Sequence, residues 1–207
     1  MFDRGLMDMV MRLRGRGVSD NHILRAFETV PRKHFVSQEQ YLEAYDEKRL
    51  PIGCGQIISE PLVIARLTQA LDIGPEHKVL EIGTGSGYHA AILSKLCKRV
   101  YSVERYLSLV KQCEALFRAL DLRNIVIRHG DGRYGWKGQA PFDRILITVG
   151  MIAVPDGLLD QLAKDGKLVA VVDGELTVYE KKSRRISETV IVPMTLPMIE
   201  AGKSKAL

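Results

Sequence analysis

The sequence predicts an α/β fold built on a doubly wound, mostly parallel sheet, with an antiparallel hairpin at one edge and a helical cap at the N-terminus. From Lys78 onward, short apolar runs alternate with helical segments of roughly ten residues, a pattern typical of right-handed βαβ crossovers. A glycine-rich turn follows the first apolar run, and the last two runs flank a short basic turn. The 207 residues suit a single domain, in which residues 1–75 supply helices and a loop and residues 76–207 supply the sheet core.

Helical patterning dominates the N-terminal part of the chain. Leu6, Val10 and Leu13 recur at helical spacing in a first helix. Ser19 is predicted to cap a second helix, which ends before Pro31 because the residue before a proline disfavours helical backbone angles.

A loop and then a regular alternation of elements follow. Two prolines, two glycines and the lack of periodicity predict a loop from Leu50 to Pro61, and helical spacing resumes over Val63–Leu71. The predicted parallel strands are Lys78–Ile82, Arg99–Val103, Ile125–Arg128, Arg144–Thr148 and Lys167–Val172. The predicted helices among them are Tyr88–Cys97, Leu107–Leu120 and Gly157–Ala163. Leu176–Glu180 and Ile186–Val192 form the predicted edge hairpin.

Composition excludes several classes of protein. With 46% apolar and 27% charged residues the chain is not disordered, and a formal net charge of +5 is weak evidence for nucleic-acid binding. Three cysteines without a C-x-x-C spacing provide neither a disulfide framework nor a zinc-ligand pattern. No stretch resembles a signal peptide or a membrane span. We therefore expect a cytoplasmic protein with no metal, nucleic-acid or membrane partner. A monomer is favoured, although the sequence does not determine the oligomeric state.

The most informative motif runs from Val79 to Gly87, where an apolar strand meets three glycines at alternate positions and then a helix. Glycines permit a sharp turn and let a ligand lie against bare backbone at the carboxyl end of a strand. Glu104, after the next strand, is placed to accept hydrogen bonds from ribose hydroxyls. The expected nucleotide site comprises Glu81, Gly83, Thr84, Gly85, Ser86, Gly87 and Glu104. A tight turn without a ligand is the alternative.

The glycine spacing favours S-adenosylmethionine (SAM) over a dinucleotide. The spacing is G-x-G-x-G, whereas NAD sites use G-x-G-x-x-G to place a pyrophosphate on the helix N-terminus, and SAM has no phosphate. Glu81 would supply negative charge near the amino-acid end of SAM. Asp131, followed by Gly132 after a later strand, is placed to accept a hydrogen bond from the adenine amino group. A plain Asp-Gly turn is the alternative for this pair.

Several motifs together resemble the protein-L-isoaspartate O-methyltransferase family of class I SAM-dependent methyltransferases. The matching segments are Val30–Val36 (VPRKHFV), Leu50–Ser59 (LPIGCGQIIS), Val79–Tyr88 (VLEIGTGSGY), Ser102–Arg105 (SVER) and His129–Gly132 (HGDG). The glycine motif is common to class I methyltransferases, whereas the first two segments are much more specific. Their order and spacing agree with the family.

The resemblance implies a Rossmann-like methyltransferase fold and a reaction. The reaction is methyl transfer from SAM to the α-carboxylate of L-isoaspartyl residues in damaged proteins or peptides, with S-adenosylhomocysteine (SAH) as product and no metal. The methyl ester then collapses to a succinimide without the enzyme. Ser59 would be the catalytic residue, close to the cofactor, and would orient the substrate carboxylate. The other residues that the resemblance assigns are Ile58 and Arg105 for the cofactor and Gln56, Ile57 and His34 for the substrate.

Two departures from the family pattern keep other functions open. Ile57 stands where the family usually has threonine, and Thr148–Ile152 lacks a small, alanine-rich run. The alternatives are a SAM-dependent methyltransferase with another acceptor and a SAM-binding protein without catalysis. An NAD-dependent oxidoreductase is disfavoured by the glycine spacing. Cys54 and the five histidines show neither a nucleophile pattern nor a metal-ligand pattern.

Overall fold

Helices form the N-terminal part of the computed structural model, which describes residues 3–183 and 185–204. They are α1 (Arg4–Gly15), α2 (Asn21–Thr29) and, after an intervening segment, α3 (Pro61–Leu71). The carboxylate of Asp20 caps α2 by accepting hydrogen bonds from the backbone N–H groups of His22 at 2.7 Å and Ile23 at 3.4 Å. The predicted cap, Ser19, is one residue too early, because the capping side chain belongs to the residue directly before the first helical one.

The segment between α2 and α3 is more regular than the sequence predicts. Two 3₁₀ turns, Arg32–Phe35 and Gln38–Gln40, precede a small antiparallel hairpin of β1 (Leu50–Pro51) and β2 (Ile57–Ile58). The hairpin lies inside the predicted loop. Its strands have two residues each, which is too short for alternation to be visible in the sequence. The pairing fixes the chain directly before Ser59.

The remaining strands follow the predicted order. They are β3 (Lys78–Ile82), β4 (Arg99–Glu104), β5 (Ile125–His129), β6 (Phe142–Met151), β7 (Leu162–Val172), β8 (Glu175–Lys182) and β9 (Arg185–Pro193). The helices between the first five of them are α4 (Tyr88–Ser94), α5 (Leu107–Ala119) and α6 (Asp156–Leu159). None of the described helices has both the length and the apolar character that a membrane-spanning segment requires.

Helix α6 is shorter than the predicted helix at Gly157–Ala163. Leu162 already pairs with Phe142, so β7 begins inside the predicted helix. The register of β7 shifts before Lys167, and Asp165 within the shifted stretch has a φ of 61°. This irregularity removes the continuous apolar run by which a buried strand is recognised in a sequence.

The sheet has the strand order β5-β4-β3-β6-β7-β8-β9. Strands β3 to β7 are parallel, and β8 and β9 are antiparallel to their neighbours. From β3 the chain builds outward through β4 and β5 on one side and then through β6 and β7 on the other. Ligands of such sheets bind at the carboxyl ends of the strands where the order reverses. The predicted fold class, including the antiparallel edge hairpin and the N-terminal helices, is confirmed.

Apolar side chains pack on both faces of the sheet. Val79 and Leu80 are adjacent in β3 and belong to different buried clusters, because successive side chains of a strand point to opposite faces. The larger cluster includes Leu13 of α1, Phe27 of α2 and Leu67 of α3 together with residues of the strands. The N-terminal helices therefore share their core with the sheet.

Residues 194–204, which follow β9 and which we call the C-terminal segment, cross the carboxyl ends of the parallel strands. The backbone N–H of Gly150 in β6 donates to the carbonyl oxygen of Pro197 at 2.7 Å. Further along, the N–H of Ser204 donates to the carbonyl oxygen of Arg105, directly after β4, at 3.0 Å. The segment therefore lies along the edge where the strand order reverses.

Candidate active site

A cavity, which we call the hairpin cavity, opens beside the carboxyl end of β3. Its walls come from the glycine turn at 83–86 and from residues 56–59 of the hairpin and the loop that follows it. Thr148 and Val149 of β6 and Pro197 of the C-terminal segment also line it. The cavity thus brings together the two segments that the sequence connects with cofactor and substrate.

A second cavity, which we call the C-terminal cavity, continues from the first toward β4 and β5. Arg105, Gly132 and residues 198–200 of the C-terminal segment line it. The two cavities share wall residues Gln56, Gly83, Glu104 and Val149. An elongated ligand could therefore occupy both of them.

The glycine turn requires glycine at two positions, where the backbone has a positive φ and a side chain would clash. Gly83 has a φ of 92°, and a Cβ atom there would lie 2.6 Å from the Thr148 hydroxyl oxygen. Gly87 has a φ of 84°, and a Cβ atom there would lie 2.8 Å from the ring of Phe117. Side chains are disfavoured at such angles and have no room here. The absence of side chains therefore lets Thr148 of β6 and Phe117 of α5 pack directly against the turn.

Glu104 anchors the glycine turn and also lines both cavities. One carboxylate oxygen accepts a hydrogen bond from the N–H of Gly85 at 2.9 Å, and the other accepts one from the N–H of Tyr106 at 2.9 Å. A carboxylate has about four lone-pair positions, so each oxygen keeps capacity for a further donor. Glu104 could therefore hold the turn and a ligand diol together.

Glu81 lies behind the turn and outside the walls of both cavities. Its buried carboxyl group accepts a hydrogen bond from the Ser102 hydroxyl at 2.5 Å, and that hydroxyl lies 2.5 Å from the hydroxyl of Thr84. Burial raises the pKa of Glu81 to about 8, so the group is mostly neutral at pH 7. The expected negative charge toward a ligand is therefore replaced by a neutral acid that supports the turn through Ser102 and Thr84.

Ser59 is held by its backbone while its side chain is free. The buried guanidinium of Arg32 donates to the carbonyl oxygens of Ser59 at 2.8 Å and Ile58 at 3.5 Å. The same group donates to the Ala44 carbonyl oxygen at 2.8 Å. Within the described residues the Ser59 hydroxyl has no hydrogen-bond partner, and Ser59 lines the hairpin cavity. Its hydroxyl is thus available to a bound substrate.

Asp131 lies next to Gly132 at the end of the C-terminal cavity and is bonded to the chain itself. The N–H of Gly202 donates to one of its carboxylate oxygens at 2.8 Å, and Arg133 donates to the same oxygen at 2.8 Å. These hydrogen bonds, that of Arg133 above all, lower the pKa of Asp131, so it is ionised at neutral pH. Arg105 forms an ion pair with Glu200. Two expected cofactor residues, Asp131 and Arg105, therefore hold the C-terminal segment in place.

The expected substrate residues lie in two places. Gln56 and Ile57 line the hairpin cavity. His34 lies in a separate groove on the other side of the hairpin, together with Ile52 and Gln112. That groove meets the glycine turn but not Ser59, so His34 is not brought together with the other expected substrate residues.

Several residues that line or support the cavity wall were missed in the sequence. The hydroxyl of Thr148 donates to the carbonyl oxygens of Gly83 at 2.6 Å and Ile82 at 2.9 Å, which ties β6 to the glycine turn. Its place at the end of a predicted strand was the available signal. Arg32 belongs to the motif Val30–Val36, but its function depends on carbonyl groups that are distant in sequence. His89 and Tyr88 follow the glycine motif directly and also line the hairpin cavity.

The described residues contain no group of three or more His, Cys, Asp or Glu side chains that could hold a metal ion. The carboxyl groups near the cavities accept hydrogen bonds from the protein, as Glu104 does from backbone N–H groups and Glu81 does from Ser102.

Comparison with known families agrees with this geometry. The model of the family protein-L-isoaspartate(D-aspartate) O-methyltransferase matches residues 5–198. The chain belongs to this family. The resemblance stated from the motifs is therefore confirmed, and the family implies that the substrate is a protein.

Individual relatives cover nearly the whole of this methyltransferase chain. A protein-L-isoaspartate O-methyltransferase from Maricaulis maris is 47% identical over 99% of this chain and 98% of its own. One from Rhodospirillum rubrum is 49% identical over 89% of this chain and 85% of its own. A solved protein-L-isoaspartate O-methyltransferase superimposes with a TM-score of 0.86 at 25% identity, over 95% of this chain and 66% of that one. A Plasmodium falciparum structure in complex with SAH shares the fold, with a TM-score of 0.79 at 22% identity over 93% of this chain and 97% of that one.

Proposed function

We propose that this protein transfers a methyl group from SAM to the α-carboxylate of L-isoaspartyl residues in damaged proteins and peptides. One observation carries the proposal: the glycine turn, Glu104 and the Ser59 hydroxyl, which has no partner among the described residues, surround one cavity. A donor bound on the turn would present its methyl group inside this cavity. A carboxylate bound by Ser59 would approach it from the hairpin. Membership in the family supports the choice of substrate.

The residues present fit SAM. Gly83 and Gly85 have no side chains and line the hairpin cavity, so a ligand can lie against their backbone. Glu104 retains lone pairs for the two ribose hydroxyls at the junction of the two cavities. Asp131, beside the C-terminal cavity, is the expected acceptor for the adenine amino group, and a bound adenine would compete for its carboxylate with the N–H groups of Arg133 and Gly202. This assignment places the adenosine toward β5 and the amino-acid end toward the hairpin.

The chemistry requires orientation and dehydration more than acid–base catalysis. When bound, SAM supplies a methyl group on a positively charged sulfur atom, which keeps the bonding electron pair and becomes a neutral thioether. A carboxylate is ionised at neutral pH and is its own nucleophile, so the chain needs no general base. Alignment of the reactants is worth up to about 7–11 kcal/mol in well-oriented systems. Ser59 would orient one carboxylate oxygen, while the apolar side chains of Ile57 and Ile58 would exclude water.

A paired-peptide assay tests this function. The protein is incubated with SAM and two peptides that differ only in an isoaspartyl or an aspartyl linkage, and the products are weighed by mass spectrometry. We expect a gain of one methyl group on the isoaspartyl peptide alone. SAM binding with no product on either peptide would contradict the proposal and favour another acceptor or a protein that only binds SAM. Methylation of both peptides would contradict the selectivity.

We infer further that the protein acts as a monomer in the cytoplasm. The residues that the proposed reaction needs, Ser59 and Glu104, line one cavity of a single chain, so the site requires no residue from a second copy. Cys54, Cys97 and Cys113 are free thiols, which supports a reducing compartment. Light scattering at assay concentrations and localisation of the native protein by fractionation test the two parts. A dimeric mass, or recovery with secreted proteins, would contradict them.

A further inference from the structure

His89 is a buried residue in the wall of the hairpin cavity that none of the roles described above uses. It is the second residue of α4, so it lies directly after the glycine turn. Only 7% of its surface is exposed, and it lines the cavity that also contains Ser59. Buried polar groups are nearly always hydrogen-bonded, so both ring nitrogens of this imidazole are expected to have partners.

The contacts of His89 determine which ring nitrogen carries the proton. The hydroxyl of Thr68 lies 2.8 Å from the carbonyl oxygen of Ile64 and 2.9 Å from Nε2 of His89. A carbonyl oxygen can only accept, so the single hydroxyl hydrogen of Thr68 must go to Ile64 if both contacts are hydrogen bonds. Nε2 of His89 then donates its hydrogen to the Thr68 oxygen. Nδ1 is left with a free lone pair.

Nδ1 of His89 is an acceptor without a partner among the described residues. A few side-chain N and O atoms of the described residues have neither a hydrogen-bond partner nor accessible surface, and the Tyr88 hydroxyl is one of them. Nδ1 of His89 is not among these atoms. It therefore keeps accessible surface in a residue that lines the cavity. Burial lowers the pKa of His89 to about 3, so the ring is neutral at pH 7 and Nδ1 stays an acceptor.

The position of His89 along the bound donor identifies the group that would meet it. Glu104, expected at the ribose, belongs to the walls of both cavities, and Gly132, beside the expected adenine ligand Asp131, lines the C-terminal cavity. A donor placed in this way extends its amino-acid end into the hairpin cavity, where His89 lies. That end carries an α-ammonium group with three hydrogen-bond donors, which a lone-pair acceptor complements.

We infer that His89 is a binding residue for the methyl donor, and that its Nδ1 accepts a hydrogen bond from the α-ammonium group at the amino-acid end of SAM. The inference rests on the proposed function for the identity of the ligand. Thr68 is a positioning residue in this arrangement, because its hydroxyl holds the ring in the tautomer that leaves Nδ1 free.

Two substitutions separate the contributions of the two ring nitrogens. In His89→Asn, an amide oxygen can take the place of Nδ1, since both atoms are bonded to Cγ. In His89→Gln, the amide nitrogen can take the place of Nε2 and donate to Thr68, while nothing remains at Nδ1. Hydrogen bonds to charged groups are worth enough that we expect the affinity of His89→Gln for SAH to fall about 10-fold or more. We expect the affinity of His89→Asn for SAH to stay within about 3-fold of the wild-type value. Titration calorimetry measures both.

A second ligand distinguishes a direct contact from a structural effect. 5′-Methylthioadenosine keeps the adenosine and the sulfur but lacks the amino-acid end, so its affinity should be the same in the wild type and both variants. An equal loss of affinity for both ligands in His89→Gln would overturn the inference, as would unchanged binding of SAH. If the wild type bound no SAH, the proposed function itself would fail, and the inference with it.

A measurement on the wild type avoids any effect of substitution on folding. In protein labelled with ¹⁵N-histidine, we expect the Nδ1 resonance of His89 to be that of an unprotonated nitrogen in the absence of ligand. Addition of SAH should shift this resonance toward the protonated range, whereas methylthioadenosine should leave it nearly unchanged. A protonated Nδ1, or no response to SAH, would overturn the inference.

Discussion

At the level of single residues, the backbone and the side chain of Ser59 have different functions. The backbone supports the active-site loop, and the side chain is available to the substrate. Arg32 binds its carbonyl oxygen at 2.8 Å, and its hydroxyl is left to the cavity. Ser59→Ala should therefore remove one hydrogen bond to the substrate carboxylate without moving the loop. We expect kcat/KM for an isoaspartyl peptide to fall about 10- to 100-fold, the cost of a hydrogen bond to a charged group, with SAH affinity changed less than about 2-fold. Initial rates and calorimetry check this, and a parallel loss of both would refute the role of Ser59.

Glu81 is the residue whose protonation should couple folding to pH. Its pKa is raised from 4.5 to about 8 by burial, so between these values the folded chain holds a proton that the unfolded chain releases. A carboxyl group with a raised pKa stabilises the fold at low pH, and this contribution is lost as the pH rises. Its slope is about 1.4 kcal/mol per pH unit for one fully coupled group.

Glu81→Gln should flatten this dependence, because the amide mimics the neutral acid and does not ionise. The free energy of unfolding of the variant should exceed that of the wild type by an amount that grows from pH 6 toward pH 8. Urea denaturation at several pH values measures the difference. Parallel curves for the two proteins would show that Glu81 does not carry the effect.

Single residues also mark the limit of prediction from sequence. The glycines and Glu104 were found because strand, turn and following strand fix their spacing. The environment of Glu81 was not predicted from the sequence, because its partner Ser102 lies 21 residues away on the neighbouring strand. The Gly202 donor of Asp131 is 71 residues away. Protonation and partners depend on such contacts, which local patterns do not contain.

At the level of elements, the hairpin and its loop depend on one buried cation. Arg32 is 0% exposed, and its planar guanidinium donates to carbonyl groups both before the hairpin and at Ser59. The several N–H groups of the guanidinium therefore hold these two parts of the chain together. Lysine has three donors on a single atom and cannot span these acceptors. We expect Arg32→Lys to lower kcat/KM for the peptide about 10-fold while SAH affinity changes less than about 3-fold. The exposed Arg25 of α2 provides the control, and an equal effect of Arg25→Lys would contradict this role.

The glycine turn provides a second prediction for an element. Alanine at position 83 would place a Cβ atom 2.6 Å from the Thr148 hydroxyl oxygen at a φ of 92°. We expect Gly83→Ala to cost about 1–3 kcal/mol of unfolding free energy and to weaken SAH binding more than about 10-fold. Gly157→Ala is the matched control, because nothing lies within 4 Å of its Cβ position. Denaturation and calorimetry compare the two, and similar losses would contradict the steric explanation.

The elements themselves were largely predictable for a physical reason. Parallel strands are buried on both faces, so each forms an apolar run, and glycines or prolines end the runs. The hairpin of β1 and β2 and the early start of β7 were missed because each depends on pairing rather than on a local pattern. The unusual backbone at Asp165 has the same origin.

For the whole molecule, the shared core predicts one cooperative unfolding transition. The larger buried cluster joins α1, α2 and α3 to strands on the far side of residue 75, as Phe27 and Val169 illustrate. Trp136 packs against the other cluster, so its fluorescence reports the opposite face of the sheet. Urea transitions followed by Trp136 fluorescence and by helical circular dichroism should have the same midpoint. Separate midpoints would contradict the predicted single domain.

The course of the C-terminal segment was not predictable, although it completes both cavities. It has no periodicity, and its position follows from pairing with Gly150 and from the ion pair of Arg105 with Glu200. Both contacts join residues that are far apart in the chain. Only the assembled sheet edge creates the surface on which this segment lies.

The hydrogen bond from Gly202 to Asp131 has a practical consequence for handling the protein. The carboxylate expected to bind the adenine base also anchors the C-terminal segment, so proteolytic cleavage within residues 194–204 is expected to weaken donor binding. Preparations intended for binding measurements should therefore be checked by mass spectrometry for an intact segment.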